Sequence, residues 1–184
     1  MPGSDQAKQG PAALADLFET HYERVVRYIA VRTGSRDLAE DLAADVFTRA
    51  LERIDTFQWR GIPMQAWLFR IAHNLVVDYL RKHTRRKLAP LEAAAEVASS
   101  DSPEKDVLLT FERQELLEAM ERLTPAQREV VSLRFFADLS CEETAQVVKR
   151  SNGAVRELQS SALKSLRRVL VIKHGNAVQA KGRG

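Results

Sequence analysis

The sequence predicts an all-α protein: two small helical domains joined by a flexible acidic linker, with a helix-turn-helix in the second. Three observations carry that reading. Apolar residues recur at spacings of three and four along the chain, and no stretch has the period-two alternation of a half-buried strand. The pattern fails between Ala89 and Asp106 in APLEAAAEVASSDSPEKD, where five acids face a single Lys105. Beyond it, two short helical patterns meet at a break near Lys149 to Ser151, the spacing of a helix-turn-helix.

The elements follow in order. After a polar tail, Leu14, Leu17, Phe18, Val25 and Ile29 mark a first helix. Gly34 ends it and Ser35 caps the next. Leu38, Leu42, Val46, Ala50 and Ile54 lie on one face of helix two. The loop DTFQWRGIP follows, and Pro63 takes the first position of a third helix. Trp67, Leu68, Ile71, Leu75, Tyr79 and Leu80 carry that helix inward, and it ends in the basic run Arg81, Lys82, Arg85, Arg86 and Lys87. After the linker, Ser102–Pro103 opens a helix with Leu108, Phe111, Leu116, Leu117 and Met120 inward. Thr124–Gln127 and Ser140–Glu143 are capping-box patterns. Ser151 caps a last helix reaching about Leu170. The expected domains are 12–88 and 107–173, with linker 89–106 and disordered tails 1–11 and 174–184.

The composition narrows the function. The chain has 184 residues and a formal net charge of +3, so its charge distribution says more than its total. Helix two is acidic, and the end of helix three is basic. Cys141 is the lone cysteine, which excludes an intramolecular disulfide and suits a reducing compartment. No apolar run has the length of a membrane span, and MPGSDQAKQGPAA lacks the apolar core of a signal peptide. A cytoplasmic protein is expected. No nucleophile–base pair or phosphate loop appears, so no catalytic residues and no cofactor are expected. His21, His73, His83 and His174 are scattered, so neither is a metal site.

Two surfaces suit nucleic acid. The second helix of the helix-turn-helix can enter a major groove N-terminal end first. Asn152, Arg156, Glu157, Gln159, Ser160 and Lys164 are left facing out. Arg can fork onto guanine and Glu can accept from cytosine, while Arg167 and Arg168 suit phosphates. Lys149 stands where such turns often carry glycine. In the first domain, Phe57, Trp59 and Arg60 precede a helix on which Asn74 and Asp78 lie one turn apart, followed by the basic run. Aromatic residues beside a basic track suit single-stranded bases. A solvated helical hairpin and a basic helix end that only complements the helix dipole stand beside these readings.

These segments together resemble bacterial RNA polymerase sigma factors of the extracytoplasmic-function group. DLAEDLAADVFTRAL (Asp37–Leu51) is similar to the segment that docks on the polymerase clamp helices. WLFRIAHNLVVDYLRKHTRR is similar to the helix that melts and reads the −10 element. LTPAQREVVSLRFFADLSCEETAQVV and SNGAVRELQSSALKSLRR are similar to the domain that reads the −35 element. The resemblance implies polymerase contact through Asp41, Asp45 and Arg49. It implies −10 contact through Arg60, Asn74, Asp78, Arg81, Lys82, Arg85 and Arg86. It implies −35 contact through Asn152, Arg156, Glu157, Ser160, Lys164 and Arg167. The preceding loop would hold a flipped base, and the acidic linker would thread a polymerase channel built for RNA. The implied partners are core RNA polymerase (clamp helices and flap), promoter DNA and a separate anti-sigma factor. The protein would be monomeric when free, without membrane insertion, and associated with the nucleoid through polymerase.

The sequence departs from the family pattern at Ala44, where Gln often precedes the acid, and at Glu157 and Leu158, where many members have Ser and Arg. A stand-alone helix-turn-helix regulator leaves the acidic helix and the basic third helix without a task. A helical adaptor that never touches DNA leaves Arg156, Lys164, Arg167 and Arg168 unexplained. The linker permits both an open form and a closed one.

Overall fold

The computed structural model describes residues 11–54, 61–88 and 107–181. Helices α1 (Pro11–Thr33), α2 (Arg36–Arg53) and α3 (Met64–Leu88) precede the linker. After it come α4 (Val107–Glu121), α5 (Pro125–Val131), α6 (Cys141–Val148) and α7 (Asn152–Lys181). A π-helical turn, Ser132–Phe136, continues α5. No strand occurs among the described residues.

Local chemistry sets the boundaries. Gly34 takes φ 78°, a left-handed conformation open to glycine without a Cβ penalty, and its N–H closes α1 onto the Ala30 carbonyl at 2.8 Å. The Ser35 hydroxyl accepts from the Leu38 N–H. Both capping boxes form, Thr124 with Gln127 and Ser140 with Glu143. Pro63 is one residue outside α3: its carbonyl accepts from Trp67 N–H at 3.1 Å, as a residue flanking the helix does.

The inward faces largely follow the apolar pattern. Val25, Val26, Tyr28 and Ile29 of α1 pack with Ala39, Ala43, Val46 and Ala50 of α2 and with Leu68, Phe69, Ala72 and Val76 of α3. The buried stripe of α2 is rotated from the expected one. Ala39, Ala43 and Phe47 are buried, while Leu38 and Leu42 are half-buried flanks. Small alanines let the helix backbones approach, and the leucines then cover the seam. Phe18 is exposed, though its ring meets Tyr22 and Phe47 at 4.8 Å each. Trp67 and Tyr79 are half-buried, and Tyr79 stacks on His83 at 5.8 Å. In α4, Met120 and Ala119 are buried and Leu116 and Leu117 half-buried. The side chains of Leu108 and Phe111 lie outside the described ones, and the linker 89–106, tail residues 1–10 and loop residues 55–60 outside the described residues.

α7 continues to Lys181, past the expected end near Leu170 and into the tail expected to be disordered. Val171, Ile172, Ala177 and Ala180 are compatible with a helix, and a lone interior glycine such as Gly175 costs about 1 kcal/mol without ending one.

The two halves share a core. Leu133, Ala137, Leu139 and Val147 join the cluster built by α1 to α3. The π-helical turn packs on α1, and α6 packs on α3. The chain is therefore in the closed form of the two that the linker permits.

Candidate nucleic-acid and polymerase interfaces

The acidic helix presents a clean stripe. Asp41, Asp45 and Arg49 are all exposed at i, i+4 and i+8 on α2, opposite buried Ala39, Ala43, Val46 and Ala50. Ala44 is exposed beside them. This face can meet a cationic surface without repacking the core.

One turn around the domain, Arg49 and Arg53 share a shallow pocket with Ile71, Asn74, Val77 and Asp78. The fold thus sets Arg49 beside Asn74 and Asp78, joining two surfaces that are separate along the chain. Asn74 is exposed and offers both donor and acceptor. Asp78 is paired with Arg81 at 2.9 Å, with side chains 51% and 62% exposed. So open a pair contributes about 0–1 kcal/mol and can exchange Arg81 for a ligand. Lys82 and Arg85 are exposed farther along. Arg86 lies on α3 with its side chain outside the described ones. Arg60, with Phe57 and Trp59, lies outside the described residues.

The helix-turn-helix forms between α6 and α7. Lys149 closes α6 in the left-handed conformation at φ 54°, ψ 48°, and the Arg150 N–H bonds the Ala145 carbonyl at 3.0 Å. The Ser151 hydroxyl accepts from the Ala154 N–H at 3.2 Å. Val155, Ala162 and Leu166 are buried, leaving Asn152, Arg156, Glu157, Ser160, Lys164 and Arg167 exposed on the opposite face. Gln159 departs from the expectation: it is half-buried, accepting from Arg134 Nε at 2.8 Å, with Cys141 Sγ 3.7 Å away. Lys164, Arg167 and Arg168 frame an open basic hollow with Val171.

The sequence reading missed the seam between the halves. Glu129 of α5 is buried, accepting from Tyr28 Oη at 2.7 Å and His73 Nδ1 at 2.9 Å and pairing with Arg32 at 2.7 Å. An ionised carboxylate only accepts, so His73 carries its proton on Nδ1. Burial pushes the Glu129 carboxyl up, but the His73 hydrogen bond, the Arg32 charge and the Tyr28 hydroxyl together hold it below its ordinary value. Burial, followed by the Glu129 charge, raises Tyr28 well above its ordinary value. Elsewhere on the seam, Arg24 Nε donates to the Ala137 carbonyl at 2.9 Å. Arg27 meets Asp138 at 3.0 Å, Gln65 donates to Glu143, and Arg70 donates to the Gln146 carbonyl.

Among the described residues, no group of His, Cys, Asp and Glu could hold a metal ion, and no helix is long and apolar enough to cross a membrane.

Comparisons with known proteins match both halves. The family described as Sigma-70 region 2 matches residues 17–86, and Sigma-70, region 4 matches residues 119–168. The ECF RNA polymerase sigma factor SigD of Mycobacterium tuberculosis is 34% identical over 164 residues, covering 86% of this chain and 77% of SigD. This chain belongs to the ECF RNA polymerase sigma factors. BldN of Streptomyces coelicolor, another ECF RNA polymerase sigma factor, is 39% identical over 168 residues. That match covers 90% of this chain and 64% of BldN, so the chain spans somewhat under two thirds of that relative.

Two solved structures share the fold. The sigma factor RpoE, in complex with the anti-sigma factor NepR from Bartonella quintana, matches with TM-score 0.68 and 23% identity over 86% of this chain and 96% of that one. CnrH, in complex with the cytosolic domain of CnrY, matches with TM-score 0.66 and 21% identity, covering 91% and 92%.

Proposed function

We propose that this sigma factor binds core RNA polymerase and directs initiation at a specific set of promoters. The observation that carries the reading is that three chemically different surfaces, in family order, stand exposed on packed helices: an acidic stripe, a mixed Arg/Asn/Asp pocket leading to a basic helix end, and the outer face of the helix-turn-helix. Asp41, Asp45 and Arg49 dock on the polymerase clamp. Asn74 and Asp78 contact base edges of the −10 element as the strands separate, and Arg81, Lys82, Arg85, Arg86 and Arg60 follow phosphates. Asn152, Arg156, Glu157, Ser160 and Lys164 read the −35 element in the major groove, with Arg167 on the backbone. The second domain also meets the polymerase flap, and linker 89–106 joins the two domains through the enzyme.

The polymerase does the chemistry, so the sigma factor contributes recognition and strand separation and acts where polymerase does, in the cytoplasm on the nucleoid. A separate anti-sigma factor controls it, as the RpoE relative above is bound to the anti-sigma factor NepR.

The deciding experiment is run-off transcription with bacterial core polymerase, with and without this protein, on a pool of genomic promoter fragments. New discrete transcripts sharing −35 and −10 elements are expected. Tight duplex binding without polymerase, and no transcripts, would mean a stand-alone regulator.

A further inference from the structure

We propose that the cleft lined by α1, α3, α5, α6 and the turn before α7 binds a small monocarboxylate with an apolar tail, its charge held by Arg150. The site stands apart from the promoter reading above and is tested without promoter or polymerase.

The cleft has the size and walls of a small-molecule site. Its volume is about 480 Å³. Such sites run from roughly 300 to 1,000 Å³ and are mostly apolar, with a few polar groups that orient the ligand. Val77 and Leu80 of α3, Pro125, Ala126 and Val130 of α5 and Val148 of α6 form the apolar wall. Arg32, His73, Glu129 and Arg150 supply the polar groups.

Those charges select the ligand. Glu129 is already satisfied: Tyr28 and His73 donate to one oxygen, and Arg32 pairs with the other. Arg150 is not. It is exposed on the turn before Ser151, and its guanidinium has no acceptor among the described residues. Counting His73 as neutral, two arginines against one glutamate leave the cleft at +1. A cation would be repelled by Arg150. A dianion would have one free cation to balance it and the Glu129 carboxylate nearby to oppose it. A monoanion balances the charge, and a carboxylate fits the guanidinium fork through two parallel N–H···O bonds.

Burial orients the ligand. The Glu129 side chain is only 10% exposed, so its negative charge lies at the inner end, while Arg150 stands exposed at the mouth. The carboxylate therefore stays at the mouth, and the tail runs inward over Val77, Leu80 and Val130. Val77 is 39% exposed, apolar area that a tail would take out of water. On the same wall, Arg32 Nε is buried with no hydrogen-bond partner in the protein, a donor that an occupant of the cleft can satisfy. The head group on Arg150 would lie two residues before Asn152, at the entry to the outer helix of the helix-turn-helix.

The test is a titration of the full chain with sodium octanoate, followed by two-dimensional ¹H–¹⁵N nuclear magnetic resonance. Saturable shifts are expected at the amides of Val77, Ala126, Val130 and Arg150. Hexanoate, two methylenes shorter, should bind about tenfold more weakly, and octylammonium chloride should leave those amides unmoved. Arg150→Gln is expected to weaken octanoate about tenfold. Ala126→Leu, which fills the cleft, is expected to abolish binding. Arg150 is exposed and Ala126 half-buried, and a dispersed spectrum checks each fold; if one variant misfolds, the other decides.

Three results would overturn the site. No saturable shift at millimolar octanoate would mean a cleft that holds water only. Equal shifts with octanoate and octylammonium, or shifts gathered around exposed Phe18 and Leu163, would mean apolar adsorption. Undiminished octanoate binding in the folded variants would place the ligand elsewhere.

Discussion

Gln159 and Arg156 sit on the same helix within one turn, yet the structure gives them different surroundings. Gln159 is held by Arg134, so its amide serves the packing of α7 on the preceding turn. Arg156 is exposed, and its fork can reach a guanine edge. Arg156→Ala is therefore expected to remove about 1–3 kcal/mol of discrimination at one −35 base pair and to leave mismatched promoters nearly unaffected. Arg167, farther along the helix, suits the backbone instead. Arg167→Ala should weaken all sequences alike and flatten the slope of log affinity against log salt by about 0.9. Fluorescence anisotropy of holoenzyme on labelled promoters at several salt concentrations measures both. A uniform loss in Arg156→Ala would make that residue a phosphate contact and move the reading of bases to its neighbours.

At the scale of elements, what could be read in the sequence is what short-range chemistry decides. Both capping boxes, the Gly34 stop and the helix-turn-helix rest on residues within a few positions of each other, and all formed. The α2 stripe came out rotated because alanines, weak in an apolar count, win the closest helix contacts. The Glu129 seam had no local mark at all: its partners lie 101 and 56 residues away at Tyr28 and His73, and a lone Glu in an amphipathic helix reads as solvated. The pocket uniting Arg49 with Asn74 was hidden for the same reason. The turn of the helix-turn-helix carries its own prediction. Lys149 holds φ 54°, a conformation that disfavours a side chain by roughly 1–2 kcal/mol, of which glycine's extra freedom in the unfolded chain takes back part. Lys149→Gly is expected to stabilise the protein by up to about 1 kcal/mol, a rise in Tm of roughly 2–4 °C, with DNA affinity preserved. A fall in Tm would show that the lysine side chain contributes more than its backbone conformation costs.

For the whole molecule, closure makes acid the natural solvent lever, and its sign can be worked out. His21 is buried and its Nδ1 lies 2.8 Å from Arg24 Nη1. Arginine only donates, so His21 accepts there and must be neutral. Arg24 in turn donates to Ala137 across the seam. Burial first, and then the Arg24 charge, lower the His21 pKa, against an opposing pull from Glu143. The unfolded chain therefore takes up a proton near pH 6.5 that the folded chain refuses. The contribution of His21 is complete above that pH and declines as pH falls below it. Glu129, also lowered, adds a second loss at more acid pH, in and below the carboxylate range. Around it stand Tyr28 and Arg32 from α1, His73 from α3, and Arg150 at the edge of the same cleft. Thermal melts should show Tm falling between pH 7.5 and 5.5. His21→Gln keeps a neutral acceptor for Arg24 at every pH, so that fall should flatten while the steeper one in the carboxylate range remains. Equal slopes in the two proteins from pH 7.5 to 5.5 would take His21 out of the account and leave Glu129 as the acid-sensitive group at the seam.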